Sequence, residues 1–401
     1  MFPKLIKSNI HIIAAIIVGI AGANASAIMP AIIGTLVSKG NMLQSQAGFI
    51  AALELLGTGI AILAIAPFVN RISASRIALF GALFFLIINI ISTQTENYIG
   101  LCVLRFLGGI GSGFLFGIMS KILGTSKSPE RMFSMFFVGH ISVSFGAFQL
   151  WTWLDSFSAT QGPYIWLSFL SLTAVIASFW IAKDYVKTEE TKDNANTISI
   201  PLCTMALLAM FLLPAAANGA WSFVIGMGNA RGIDTETLLL VISYITLAGL
   251  MAALGATWLG SKIGTNKPIL IVGSVFLLSM AVLALSETEA LFILASVFFT
   301  ICWVFINPYM LGVFSKLDSQ GRLVTLSIAA LYGGLSAGPA FMGLVIEHPN
   351  GGYSNMIYLS MVLLLMSLLL IIYASIGNEK RSDETVETVQ PQPTDPQLKV
   401  H

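Results

Sequence analysis

A few polar side chains lie inside long apolar stretches of this sequence, and they are the residues best suited to chemistry. Glu54 and Arg105 are the charged ones. A charge at the centre of a bilayer costs at least about 2.5 to 3.5 kcal/mol, so it must be shielded or used. Both lie roughly 12 Å from the same end of their stretches, at 1.5 Å per residue. The matched depth predicts an ion pair, which either neutralises two charges for packing or acts as a switchable coupling pair. The alternative is that the two residues have separate roles.

Neutral polar and aromatic residues in the same stretches could contact a solute. Asn24 and Asn218 lie in the middle of the first and seventh stretches. Their amides can hydrogen-bond a solute or a neighbouring helix. His140 could carry a proton near neutral pH or be a satisfied packing residue. The other candidates, which line either a pocket or the core, are Trp221, Trp303, Asn307 and Tyr332.

Twelve apolar stretches must position these residues. The chain is 56% hydrophobic and 10% charged, with a mean hydropathy of +0.86, whereas a soluble domain carries about 25% charged residues. Composition therefore indicates an all-α integral membrane protein, because only helices of this length pair every backbone group within lipid. The predicted spans are 10–37, 46–69, 77–94, 98–123, 131–156, 163–182, 201–226, 236–260, 268–286, 290–315, 323–347 and 354–377. Asn307-Pro308 is predicted to interrupt the tenth span, freeing carbonyl groups.

Lysine and arginine are distributed unevenly between the two sides of these spans. Lys39 and Arg231 fall on one side and Arg105 lies within a span, so seventeen of the twenty basic residues fall on the other side. Basic loops close to span ends resist translocation and stay in the cytoplasm. The pattern predicts a multi-pass protein of the cytoplasmic (inner) membrane with both termini in the cytoplasm.

The two halves of the chain repeat each other weakly. Three short matches occur at offsets of 191, 194 and 195 residues: 70–76 with 261–267, Ala23-Asn24 with Ala217-Asn218, and Ser120-Lys121 with Ser315-Lys316. A duplicated six-helix unit predicts two pseudo-symmetric lobes with a solute site between them. We therefore divide the chain into a first lobe (1–182), a cytoplasmic linker (183–200), a second lobe (201–377) and a disordered cytoplasmic tail (378–401).

At these residues the chain resembles the major facilitator superfamily, from Lys4 to Gly377. The family's loop motif after the second helix, G-x-x-x-D-R-x-G-R-R/K, has a degenerate copy in residues 66–76. Asn70 stands where the family has an acid, which puts a charge-based latch in doubt. The resemblance implies a gating role for the loop residues Asn70, Arg71, Arg76, Lys262, Gly264 and Lys267.

A second family motif, an arginine early in helix 4 followed by glycines, is similar to Arg105 with Gly108, Gly109, Gly111 and Gly113. The resemblance implies that Arg105 contacts substrate, and that Asn24 and Asn218 face each other across the cavity. The helix 5 motif of proton antiporters is absent from residues 139–146, which weakens an export function. The glycines of the fourth span also permit close helix packing.

These features predict a secondary active transporter that takes up a small-molecule substrate by alternating access, with a proton as coupling ion. The sequence contains no phosphate-binding loop of the G-x-x-x-x-G-K-S/T kind and no zinc or nucleophile motif, so we expect no cofactor, metal or catalysis. We expect a monomer in the lipid bilayer that does not bind nucleic acid. Two alternatives remain: a proton-coupled exporter of lipophilic compounds, and a non-transporting membrane sensor or assembly factor.

Overall fold

The protein is all-helical throughout the residues described by its computed structural model, which are 2–68, 71–126, 128–154, 156, 160–181, 199–259, 264–317 and 322–389. The helices of the first half are α1 (Phe2–Ala27), α2 (Met29–Ser38), α3 (Gln44–Ile65), α4 (Ala74–Thr93), α5 (Tyr98–Gly124), α6 (Pro129–Gln149), α7 (Trp151–Leu154) and α8 (Gly162–Ser178). Those of the second half are α9 (Ile200–Ser222), α10 (Val224–Asn229), α11 (Thr235–Leu259), α12 (Asn266–Leu285), α13 (Glu289–Leu317), α14 (Arg322–Glu347) and α15 (Tyr353–Val389).

These helices account for the twelve predicted spans. Within the described residues, eleven helices are long and apolar enough to cross a membrane. The sixth span is α8, which is apolar but has only 17 residues. The first, fifth and seventh spans are each broken into a long and a short helix: α1 with α2, α6 with α7, and α9 with α10.

The breaks in the first and seventh spans repeat the internal symmetry. The first break is at Ile28, two residues before Pro30, whose ring cannot continue the hydrogen-bond ladder. The seventh-span break is at Phe223, 195 residues later. This interval matches the offset between the sequence repeats. The duplication is therefore visible in backbone geometry as well as in sequence.

Pro308 does not interrupt the tenth span, contrary to our prediction. Helix α13 is continuous from Glu289 to Leu317 with Pro308 inside it. The side-chain amide of Asn307 donates to the carbonyl of Trp303 over 2.6 Å. Neighbouring helices and local polar side chains can satisfy the backbone around a proline in a membrane helix, so the ladder loses a bond without the helix ending.

Glycines bring the helices of the first lobe into backbone contact. A Cβ atom on Gly109 of α5 would lie 2.0 Å from the carbonyl oxygen of Glu54 in α3, and one on Gly57 would lie 2.3 Å from the carbonyl oxygen of Phe106. No larger residue fits at such distances. The glycines of the fourth span thus serve the close packing that the sequence predicted, and they fix the separation of α3 and α5.

The two lobes, α1–α8 and α9–α15, meet chiefly through α3 on α14 and α6 on α11. At one end of the bundle, which we call the closed end, Gln149 donates to Ser243 over 3.0 Å. Gly48 packs on the carbonyl oxygen of Pro339 at the same end. The closed end carries loops 39–43 and 348–352, which the predicted topology places outside the cell.

Two charged residues organise the loop between α10 and α11 at the closed end. The guanidinium of Arg231 donates to the carbonyls of Met227, Leu283 and Ser286 over 2.6 to 3.0 Å, and burial lowers its pKa. Asp234 accepts from the backbone N–H and hydroxyl of Thr237, and these bonds lower the pKa of its carboxyl. Arg231 therefore ties α10 to the end of α12.

Helix α15 extends past Asn378, where we predicted a disordered tail. It continues to Val389. The amide of Asn378 donates to the carbonyl of Lys316 over 3.2 Å, and the ammonium of Lys316 lies 3.7 Å from the carboxylate of Glu379. These contacts hold the beginning of the tail against α13. Residue 182, residues 183–198 of the predicted linker and residues 390–401 lie outside the described residues.

Candidate functional site

The charged residues of the spans form a buried polar network in the first lobe. The guanidinium of Arg105 lies 3.2 Å from the Glu54 carboxylate. It also donates to Asn89 over 3.0 Å and to Ser92 over 2.5 Å, and its Cζ lies 4.6 Å from the ring centroid of Tyr164. Glu54 and Arg105 are 2% and 0% exposed. The structure therefore contains the ion pair that matched depth predicted.

This network lies inside the lobe and does not face the other lobe. The partners of Arg105 come from α3, α4 and α8, and its side chain has no exposed surface. The expectation that Arg105 contacts substrate is therefore not met in this conformation, because the guanidinium is enclosed by its own lobe. Its Nε and the hydroxyl of Tyr164 are buried with no hydrogen-bond partner among the described residues, so the network retains unused donors.

Asn24 is also enclosed within the first lobe. Its amide nitrogen donates to the Ser144 hydroxyl over 3.0 Å, and its amide oxygen accepts from Trp166 Nε1 over 2.8 Å. The side chain is 0% exposed. Both ends of the amide are occupied by neighbouring helices, so the expected position in the cavity is not observed. Asn24 instead joins α1 to α6 and α8.

Asn218 has a different environment from its repeat counterpart. Its amide nitrogen donates to the Leu335 carbonyl over 2.8 Å, and the residue is 9% exposed. This bond joins α9 to α14 within the second lobe. The bond uses only the nitrogen end of the amide, and Asn218 keeps some exposed surface. The repeat therefore conserves residue type without conserving the partners of the side chain.

Four aromatic side chains form a contact between the lobes, which we call the aromatic bridge. Phe136 stacks on His140 at 5.6 Å between ring centroids, and Phe116 packs edgewise on Phe136 at 6.0 Å. Phe116 also meets Tyr332 of the second lobe at 6.5 Å. Tyr332 is 15 residues from Glu347, at the end of α14, and thus about 22 Å from the closed end. The Nδ1 atom of His140 is buried and makes no hydrogen bond within the part of the chain that the structure describes.

The remaining predicted binding residues lie in the second lobe. Trp221 stacks on Phe299 at 5.9 Å and lines a narrow crevice between α9, α12 and α13. Trp303 and Asn307 are one helical turn apart on α13 and are both half-buried. Asn307 is committed through its amide nitrogen to the Trp303 carbonyl. Trp221 is thus part of the lobe interior, while Trp303 and Asn307 keep accessible surface.

The predicted gating loops are only partly described. Arg71, Arg76 and Lys267 are exposed, which is compatible with the predicted loops. Gly264 has a φ of +73°, a left-handed backbone that favours glycine. Asn70 and Lys262 lie outside the described residues.

Sequence reasoning missed several residues that the structure brings together. Asn89 and Ser92, which bind Arg105, are three apart in an otherwise apolar span and therefore share a helix face; this spacing was a usable signal. Phe116 and Phe136 carried no such signal, because phenylalanine is common throughout the spans. Only the packing of α5, α6 and α14 selects these two rings.

The sequence and the fold are both similar to those of known transporters. The sequence profile of the Major Facilitator Superfamily matches residues 12–319. The chain belongs to the Major Facilitator Superfamily. It is a multi-pass membrane protein of a transporter family. No curated protein matches its sequence.

Solved transporter structures share the fold of this superfamily member at low sequence identity. The nucleoside transporter NupG is 11% identical with a TM-score of 0.71, covering 92% of this chain and 99% of NupG. The inward-open xylose transporter XylE from E. coli is 14% identical with a TM-score of 0.73, covering 90% of this chain and 94% of XylE. The human organic anion transporter MFSD10 is 11% identical with a TM-score of 0.63, covering 90% and 99%.

Proposed function

We propose that this protein takes up a small solute together with protons, by rocking its two lobes around a central site. The observation that carries the proposal is the aromatic bridge, in which Phe116 of one lobe meets Tyr332 of the other, and Phe136 links Phe116 to His140. A solute held between two lobes needs contacts from both. With the predicted topology, a closed external end corresponds to an inward-facing state, and the bridge then lies on the outer side of the proposed solute site.

The chemistry of the bridge suits a solute with a ring and hydrogen-bonding groups. Aromatic faces stack on rings, and His140 Nδ1 offers an unused hydrogen-bonding atom. Asn218, Trp303 and Asn307 supply further contacts from the second lobe. NupG and the D-xylose-proton symporter carry a nucleoside and D-xylose according to their names, so uridine and D-xylose are the first probes to test.

The Glu54–Arg105 pair is our proposed coupling element. Protonation of Glu54 would neutralise its carboxylate. Arg105 would then keep its hydrogen bonds to Asn89 and Ser92, which already accept from it. These bonds reduce the cost of separating the pair, because the guanidinium keeps partners in a poor dielectric. A buried structural ion pair also uses such acceptors for the remaining N–H groups of the guanidinium. The network therefore permits switching, and the flux of neutralised variants has to separate the two roles.

Uptake into proteoliposomes tests the proposal. We expect solute accumulation when the outside is acidic and its loss when a protonophore is added. A solute flux indifferent to the pH gradient would reject proton coupling, and flux driven by an acidic interior in exchange for protons would favour the exporter. Absence of flux for every solute that stabilises the purified protein in a thermal-shift screen would favour the sensor.

Matched substitutions on α14 test the site itself. We expect Tyr332→Ala to weaken apparent affinity about two- to tenfold, from the loss of roughly 0.5 to 1.5 kcal/mol of aromatic interaction. Phe341→Ala is the control, since Phe341 is 62% exposed on the same helix. Equal effects of the two substitutions on apparent affinity would show that Tyr332 is not part of the solute site.

A further inference from the structure

The first turn of α3 has one capping side chain of its own, Gln46, whose Oε1 accepts from the Leu43 backbone N–H over 3.1 Å. The N–H groups that follow need another acceptor. Helix α3 begins at Gln44, and the preceding residue, Leu43, has no side-chain acceptor for the free N–H groups of that turn. Such groups carry the positive end of the helix dipole and need an acceptor or water. A helix end of this kind is stabilised by a negatively charged side chain placed beside it.

The missing acceptor is supplied by the other lobe. Glu347, the last residue of α14, accepts from the backbone N–H of Ser45 over 3.2 Å and from the Ser45 hydroxyl over 2.6 Å. Beside this contact, the amide of Gln44 donates to the Tyr353 hydroxyl over 3.0 Å. We call Gln44, Ser45, Glu347 and Tyr353 the closed-end latch.

The backbone around the latch is shaped to allow this contact. A Cβ atom on Gly343 would lie 2.8 Å from both the Gln44 carbonyl oxygen and the Ser45 Cα. Glycine at this position, one turn before Glu347, lets α14 approach the beginning of α3 closely enough for the carboxylate to reach it. The cap therefore depends on the lobes being together at this end.

We propose that Glu347 is a gating residue that caps α3 across the lobe interface and holds this end of the protein shut. When the lobes separate here, α3 loses its only charged acceptor among the contacts described and Glu347 loses two donors. Hydrogen bonds to a charged group are about twice as strong as neutral ones. Opening of the closed end therefore has to break the latch, and weakening the latch shifts the lobes toward the open arrangement.

The test measures the distance between the lobes at the closed end. Spin labels at Glu96→Cys and Glu287→Cys, in exposed loops of the two lobes, report that distance by double electron–electron resonance in nanodiscs, with Cys102, Cys203 and Cys302 replaced by serine. We expect Glu347→Ala to raise the ratio of long to short distances about tenfold or more, the scale of one lost charge-assisted hydrogen bond. Glu347→Gln, which removes only the charge, should give a smaller increase.

Two further variants separate the latch from general damage. Glu289→Gln neutralises another exposed acid at the same end of the protein and should leave the distances unchanged. Ser45→Ala should open the gate slightly, and should add little once Glu347 is already alanine, because both substitutions break the same contact. The proposal is overturned if Glu347→Ala matches Glu289→Gln, or if Ser45→Ala and Glu347→Ala act additively.

Discussion

At the scale of single residues, the first feature of this transporter is its buried ion pair. Glu54 and Arg105 are the charged pair within the spans, and each is nearly without exposed surface. Removing one partner leaves the other charge unpaired in a poor dielectric, which costs roughly 3 to 5 kcal/mol. Their placement inside one lobe means that they can affect the solute only through the position of the helices that carry them.

A double-mutant cycle tests this pair. We expect Glu54→Gln and Arg105→Gln each to lower the melting temperature and the proton-driven flux, and the double variant to be more stable than Arg105→Gln or Glu54→Gln alone. The reason is that the double variant leaves no uncompensated charge. Additive losses in melting temperature would show that the two residues act separately. Flux that survives in the double variant without a pH gradient would identify the pair as the coupling element.

The two asparagines should now respond differently to the same substitution. Asn24→Ala leaves Trp166 Nε1 without its acceptor and removes the bond to the Ser144 hydroxyl, which keeps the His140 carbonyl as a partner. We therefore expect a loss of about 1 to 3 kcal/mol of stability with unchanged apparent affinity. Asn218→Ala, at a residue with exposed surface, should weaken apparent affinity about three- to tenfold through one lost hydrogen bond. Melting curves and uptake kinetics separate the two effects. An affinity loss at Asn24 alone would reverse this assignment.

At the scale of elements, helix separation is set by glycine. Gly109→Ala would place a methyl group 2.0 Å from the Glu54 carbonyl oxygen, so α3 and α5 must move apart. We expect a loss of about 1 to 3 kcal/mol, as for other overpacked sites. The measurement is the melting temperature of the purified variant.

Gly146→Ala provides the control for this prediction. A Cβ atom at Gly146, inside α6, has no atom within 4 Å. Alanine in a helix interior is favoured over glycine by about 0.5 to 1 kcal/mol, so this variant should be neutral or slightly stabilised. Equal melting temperatures for both variants would mean that the α3–α5 contact yields easily to added volume.

At the scale of the whole molecule, orientation in the membrane remains the property most open to direct test. We predict that residues 183–200 are cytoplasmic, because seventeen of twenty basic residues share their side. Thr191→Cys should resist an impermeant thiol reagent in intact cells and react after permeabilisation. Labelling from outside would invert the topology, and the closed end would then face the cytoplasm. Glu96→Cys, at the opposite end, should show the reverse pattern.

The sequence by itself determined the class, the number of spans and the duplication. Each follows from a property that can be read along the chain: the length of apolar stretches, the placement of charge and the offset between repeats. These properties are enough because a bilayer forces every span into a helix. The depth of Glu54 and Arg105 could also be read along the chain, so their pairing was predictable. The break at Ile28 lies next to Pro30, whereas α13 continues through Pro308. A proline in the sequence therefore does not by itself decide whether a membrane helix ends.

Only the tertiary structure decided which face each side chain presents. Asn24 and Asn218 share a repeat position, yet one is enclosed by α6 and α8 while the other borders α14. Phe116 gains its place opposite Tyr332, and Glu347 its place beside Ser45, from contacts between residues more than two hundred positions apart. Helix rotation and lobe approach fix such contacts, and neither is encoded in the spacing of residues along a single span. The ion pair could be predicted because the depth of a residue in the membrane follows from its position along a span. The site between the lobes depends instead on how the helices are rotated and packed, which the position along a span does not give.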